Sequence, residues 1–134
     1  MKEMVYRERE RKAGQLVFEI LYHDFYKGYE FYILNLGSHP AAYVGVDKDH
    51  SLYGKSYEDL DILVHGGLSY SNYLSNVTKN KDKWYLGWDY AHYGDYCDFG
   101  LGGFLDEKKW TTQEIYEEVK NVVEQFIKMQ NKGE

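Results

Sequence analysis

The chain has 134 residues, enough for one domain with its own core. A net charge of −6 disfavours nucleic acid as the main partner, because a phosphate backbone calls for a basic face. The single cysteine, Cys97, excludes an internal disulfide and a cysteine zinc cluster, and no apolar run approaches the ~20 residues that span a bilayer.

Met1 to Lys12 is charged and lacks the apolar core of a signal peptide, so a cytoplasmic location is expected. Residues 1–14 read as a charged N-terminal arm ending near Gly14. Gln15 to Tyr22 reads as a strand, His23–Asp24 and Lys27–Gly28 as turn signals, and Tyr29 to Leu34 as a second strand pairing with the first. Gly37 to Pro40 breaks the chain, and Ala41 to Val46 is a third strand. Asp47 to Asp61 is a polar loop with one helical turn at 56–60. Ile62 to Val64 and Leu68 to Leu74 are short strands around His65-Gly66-Gly67. Lys83 to Tyr90 alternates Trp84, Leu86 and Trp88 as a further strand, followed by a Gly/Asp/Tyr loop to Gly103.

The C-terminal helix, residues 111–131, is the clearest element. Thr111 and Glu114 have capping-box spacing, with Trp110 and Ile115 as a hydrophobic staple. Ile115, Val119, Val122, Val123, Phe126 and Ile127 form one apolar stripe. The expected fold is a single α+β domain over 1–134: a twisted, largely antiparallel sheet of five or six strands with the long helix packed on one face.

Three stretches carry candidate chemistry: Asp49 to Gly54, Asp61 to Tyr70, and Gly87 to Asp95. Each joins a His to Gly and to acidic or hydroxyl residues, and two of them lie where a strand runs into a Gly-containing loop. Gly66 and Gly67 after His65 permit positive φ and close approach of a ligand, and their amides could hold an anion. The alternative is a tight turn with a hydrogen-bonded His. His92 and Asp95 have the spacing of an acid/base or metal pair; the alternative is a turn Asp beside a backbone-bonded His. No strong metal motif is present, so no metal and no cofactor is expected. Cys97 lies among acidic residues, which work against a reactive thiolate. The 15 Tyr suit a tyrosine-rich sheet or the walls of a ligand site.

Four motifs occur in order: Tyr43-Val44-Gly45-Val46, Asp49-His50-x-x-Tyr53-Gly54, Val64-His65-Gly66-Gly67-Leu68-Ser69-Tyr70-Ser71, and Gly87-Trp88-Asp89-x-Ala91-His92-x-Gly94-Asp95. Together they resemble a widespread family of small accessory proteins of tailed bacteriophages and prophages, over about Ser38 to Asp95. That family often has Pro where Ser51 stands. The resemblance implies a phage accessory protein made in the host cytoplasm, and it brings no activity with it. Such proteins often blunt host defence by binding host enzymes or capturing nucleotide second messengers. The expected function is therefore counter-defence through binding of a nucleotide-like small molecule. In that reading Tyr53, Tyr70 or Trp88 stacks on a base, His65, Gly66 and Gly67 hold phosphate, and Asp61 or Asp95 accepts from ribose. His50, Ser69, Asp89 and His92 complete the candidate set. The alternatives are a phosphodiesterase-like hydrolase using the His/Asp cluster and a protein–protein inhibitor of a host factor.

Overall fold

The computed structural model describes residues 18–75, 77–78, 82–91 and 108–131. It is an α+β fold. Five strands, β1 (Glu19–Tyr26), β2 (Tyr29–Asn35), β3 (Pro40–Val46), β4 (Tyr70–Asn72) and β5 (Trp84–Asp89), form one antiparallel sheet in the order β1-β2-β3-β5-β4. A single 20-residue helix, α1 (Thr112–Asn131), packs against it.

β1 and β2 form the expected hairpin, but the turn lies only at Lys27–Gly28, and His23–Asp24 belongs to the strand. Both turn residues have positive φ, 50° and 85°, as a two-residue turn matched to strand twist requires. A bulge at Leu21 breaks the alternation of β1. Ile20 consequently pairs with Leu34 on one face, while Tyr22 pairs with Ile33 on the other.

The two faces carry separate cores. Under α1 lie Tyr22, Phe31, Ile33, Ala42, Val44, Leu86 and Trp88, packed against Ile115, Val119, Val122, Val123 and Phe126 of the helix stripe. The helix begins with the capping box: Glu114 N–H donates to Thr111 Oγ1 (3.1 Å), and Thr111 N–H to Glu114 Oε1 (3.0 Å). The far face carries Tyr32, Leu34, Ala41, Tyr43, Tyr85 and Leu74. On that face Glu30, though buried, is satisfied. It accepts from the Tyr85 hydroxyl (3.0 Å) and pairs with His23 (2.6 Å), whose ring stacks on Tyr32.

The expected strand at Ile62–Val64 is not a strand. The segment is loop laid along the helix, with Ile62 buried in the core beneath it. The backbone of Leu63 is satisfied by one side chain: Gln125 Oε1 accepts from Leu63 N–H (2.9 Å), and Gln125 Nε2 donates to Leu63 C=O (2.7 Å). Further along the helix, Gln130 Oε1 accepts from Ser51 N–H (2.8 Å), a bond that Pro at this position would remove. The helical turn expected at 56–60 is a 3₁₀ turn, Tyr57–Asp59, capped by Ser56. No helix of the described residues is long and apolar enough to cross a membrane.

Candidate functional site

The candidate residues fall into separate places. The sheet pleat and the length of α1 decide which can meet.

His50 packs near the C-terminal end of α1, its ring tilted against Phe126 (centroids 6.4 Å). Its Nδ1 accepts from Leu52 N–H (3.1 Å), so Nε2 carries the proton and donates to the Tyr29 hydroxyl (2.8 Å). Burial pushes its pKa down, opposed in part by Asp49 and Asp47. The unfolded chain therefore takes up the proton first, near the ordinary value of about 6.5. The stability this neutral His contributes is complete above that pH and is lost as pH falls through the lower folded value. The melting temperature should accordingly fall between pH 7 and pH 5, with a shallower slope in His50→Asn. Equal slopes in thermal melts across that range would show that His50 does not contribute.

His65 lies toward the other end of the helix. Its ring stacks on Tyr90 (centroids 5.0 Å, interplanar 6°) and leans on Trp110 (4.9 Å). The Tyr90 hydroxyl accepts from Trp88 Nε1 (2.9 Å) and donates to Glu118. Trp88 is 1% exposed, its ring in the core and its N–H already used, so it presents no face to a ligand. From Glu118 to Phe126 is about 12 Å of helix rise, so α1 holds His65 and His50 apart. The His65 turn is closed by Gly67 N–H donating to Val64 C=O (2.9 Å), with Gly66 at φ 71°. One of the two glycine amides expected to hold phosphate is thus used by the turn itself.

Ser69, Tyr70 and Asp89 are on neither of these sites. In β5, Trp88 points to the helix, so its neighbours Gly87 and Asp89 point to the far face. There Ser69 Oγ donates to Asp89 Oδ2 (3.1 Å), and Tyr70 pairs across Gly87. Tyr53 sits at the β4–β5 edge, donating to Asp82 C=O (2.8 Å) beside Tyr73 and Trp84. Its hydrogen bond with Tyr73 is the main reason its pKa is pushed up to about 12. Asp61 is exposed. His92, Asp95 and Cys97 lie outside the described residues. Among the described residues no three His, Cys, Asp or Glu side chains group as a metal site.

The far face also holds a cleft of about 340 Å³, lined by Phe18, Leu34, Leu36, Tyr43, Tyr70, Asn72, Tyr73, Leu74, Ser75 and Val77. Two glycines shape the surface beside it. Tyr43 lies across Gly87, and Tyr85 across Gly45 on the neighbouring pair of strands. The Tyr43 ring meets Tyr70 edge-on (5.0 Å, 82°). Burial, then Tyr70 and Asp89, pushes the Tyr43 hydroxyl up to about 12. Tyr70 donates its hydroxyl to Tyr73 C=O (2.6 Å). Asn72 uses its amide oxygen on Tyr73 N–H (2.7 Å). The cleft thus offers aromatic faces, a Tyr hydroxyl and an amide NH₂. No Lys, Arg, His, Asp or Glu is among its described lining residues.

Sequence reasoning found Tyr70 here and missed Tyr43, Asn72 and Tyr73. The available signal was the set of Tyr and Gly residues on one face of paired strands, which is visible only once register is known. No family model matches the chain, and no curated protein or solved structure does so at a significant level.

Proposed function

We propose that this is a phage accessory protein that captures a nucleotide-like small molecule, holding the planar end of the ligand in the far-face cleft. The cleft is the observation that supports this reading. Its size lies at the lower end for ligand sites, right for one base or nucleoside, and its walls are aromatic and aliphatic with few polar groups. A base stacked on Tyr is worth about 1–3 kcal/mol and needs no particular sequence of hydrogen bonds. The His65 end of α1 is a weaker host, because the ring of His65 is already stacked on Tyr90 and Trp88 is buried.

A panel of mono-, di- and cyclic nucleotides, nucleosides and ADP-ribose derivatives tests this by thermal shift. A ligand that binds only the folded state adds about 2.7 kcal/mol at a hundredfold excess over Kd, a rise of several degrees. Tyr70→Ala should abolish the rise, and His65→Ala should leave it intact. The reverse pattern would move the site to the His65 turn. Chromatography of the same mixtures separates capture from cleavage: a new product would favour the hydrolase reading. If no compound shifts the melt, the small-molecule reading falls and inhibition of a host protein takes its place.

A further inference from the structure

We infer that residues 48–52 form a pH-sensitive latch over the C-terminal end of α1, closed while His50 is neutral and released when its ring takes up a proton. The latch lies on the helix side of the sheet and does not depend on the far-face cleft.

The segment is anchored at both ends. Asp47 Oδ1 is paired with Lys83 Nζ (2.8 Å), just before β5. On the other side the Tyr53 hydroxyl donates to Asp82 C=O (2.8 Å), and Lys55 C=O accepts from Trp84 Nε1 (2.9 Å). Between these anchors the segment is fastened to the body of the protein. Leu52 enters the core, Ser51 N–H donates to Gln130 on α1, and the His50 ring donates to the Tyr29 hydroxyl.

Closure carries a built-in conflict. His50 Nδ1 has to accept from Leu52 N–H (3.1 Å). A proton on Nδ1 sets one donor against another, so the closed segment holds an imidazolium poorly. Ser51 Oγ adds to this. It is the buried side-chain polar atom that lacks a hydrogen-bond partner among the described residues. A bond left unmade favours whichever conformation returns the hydroxyl to water. Release hydrates both groups at once.

The surroundings of the ring set the direction. From β2 it meets Tyr29, whose pKa burial raises, and from α1 it meets Phe126, so neither neighbour brings a charge. To either side of Phe126 on the helix, Glu124 is engaged by Lys27 (2.6 Å), and Lys128 lies in the last turn. Burial pushes the pKa of His50 down, and Asp49 and Asp47 in its own loop oppose this only in part. The released ring titrates near the ordinary value of about 6.5. Release therefore grows as pH falls below that value, until the lower value of the closed segment is reached. One proton taken up per opening multiplies the released population by up to about tenfold per pH unit.

Relaxation-dispersion NMR of the backbone amides, which detects minor states of about 0.1–10%, tests the latch between pH 7 and pH 5. The Ser51 and Leu52 amides should show exchange that grows as pH falls, while Phe31 and Val44 in the sheet show none. His50→Asn should abolish the growth, because its amide oxygen can still accept from Leu52 N–H but takes up no proton. Ser51→Ala should lower the released population about tenfold at every pH and keep its pH dependence. Ser51 and Leu52 amides without exchange down to pH 5, or exchange of equal size at Val44, would overturn the latch, since His50 would then be freed only by unfolding of the whole domain. Growth that survives in His50→Asn would overturn the role of His50. A released population unchanged in Ser51→Ala would overturn the part given to the hydroxyl.

Discussion

Val122→Asp should leave little folded protein at 25 °C. Val122 is fully buried, in the centre of the stripe that α1 presses onto the sheet. A carboxylate there loses its hydration and finds no partner, and substitutions of this kind cost more than about 4 kcal/mol. That is a large share of the stability of an ordinary domain, about 5–15 kcal/mol. Glu117→Ala is the matched control. Glu117 is exposed and makes only surface contacts with Gln113 and Lys120, so its loss should change stability by less than about 0.5 kcal/mol. Circular dichroism with urea melts reads both. If Val122→Asp melted like wild type, the helix would not dock on this face.

Gly87→Ala is the second large effect, and it acts on the other face. A methyl group at this position would lie 2.4 Å from Tyr43 Cδ2 and 2.8 Å from the Ala42 carbonyl oxygen. The ring could turn aside, but the carbonyl belongs to the β3–β5 ladder and cannot. Overpacking of this kind costs about 3 kcal/mol. It should also displace Tyr43, and with it ligand binding in the cleft. Gly45→Ala meets side-chain atoms only, Tyr85 at 2.8 Å and Lys83 at 3.2 Å, so it should be milder. Removing the ring in Gly87→Ala/Tyr43→Ala should recover part of the loss, which a double-mutant cycle would measure. A Gly87→Ala protein as stable as wild type would mean that the two strands do not pair in this register.

Much of this architecture was legible from pattern alone. The aromatic and β-branched residues of Tyr29–Leu34, the break at Gly37–Pro40 before Ala41–Val46, and the alternation of Trp84, Leu86 and Trp88 in Lys83–Tyr90 identified strands, because β2, β3 and β5 bury side chains on both faces of the sheet. Thr111, Glu114 and the Val/Ile/Phe stripe identified the helix, because capping and burial there depend on residues three or four apart. The failures were non-local. Ile62-Leu63-Val64 has strand composition, but a side chain 62 residues away decides its conformation. The bulge at Leu21 shifts which face Ile20 presents, and composition does not record it. The Gly87-Trp88-Asp89 motif looked like one site. A strand sends successive residues to opposite faces, so the core receives Trp88 and the far face receives Asp89. Reading motifs as contiguous chemistry works in loops and fails in strands.

The Gln125 clamp has a consequence for how the protein opens. Leu63 is 77% exposed, and an amide in such a position would ordinarily trade its hydrogen with water quickly. Here that amide is held by Gln125, whose own amide is steadied by Asn121 one turn earlier in α1. Leu63 N–H can exchange only when Gln125 lets go. Its exchange rate therefore reports on the middle of the helix, from a position in a loop. A slow Leu63 amide means that the loop and α1 open together as one cooperative unit. A fast one means that the loop peels away first, uncovering Ile62 and that side of the core while the helix stays in place.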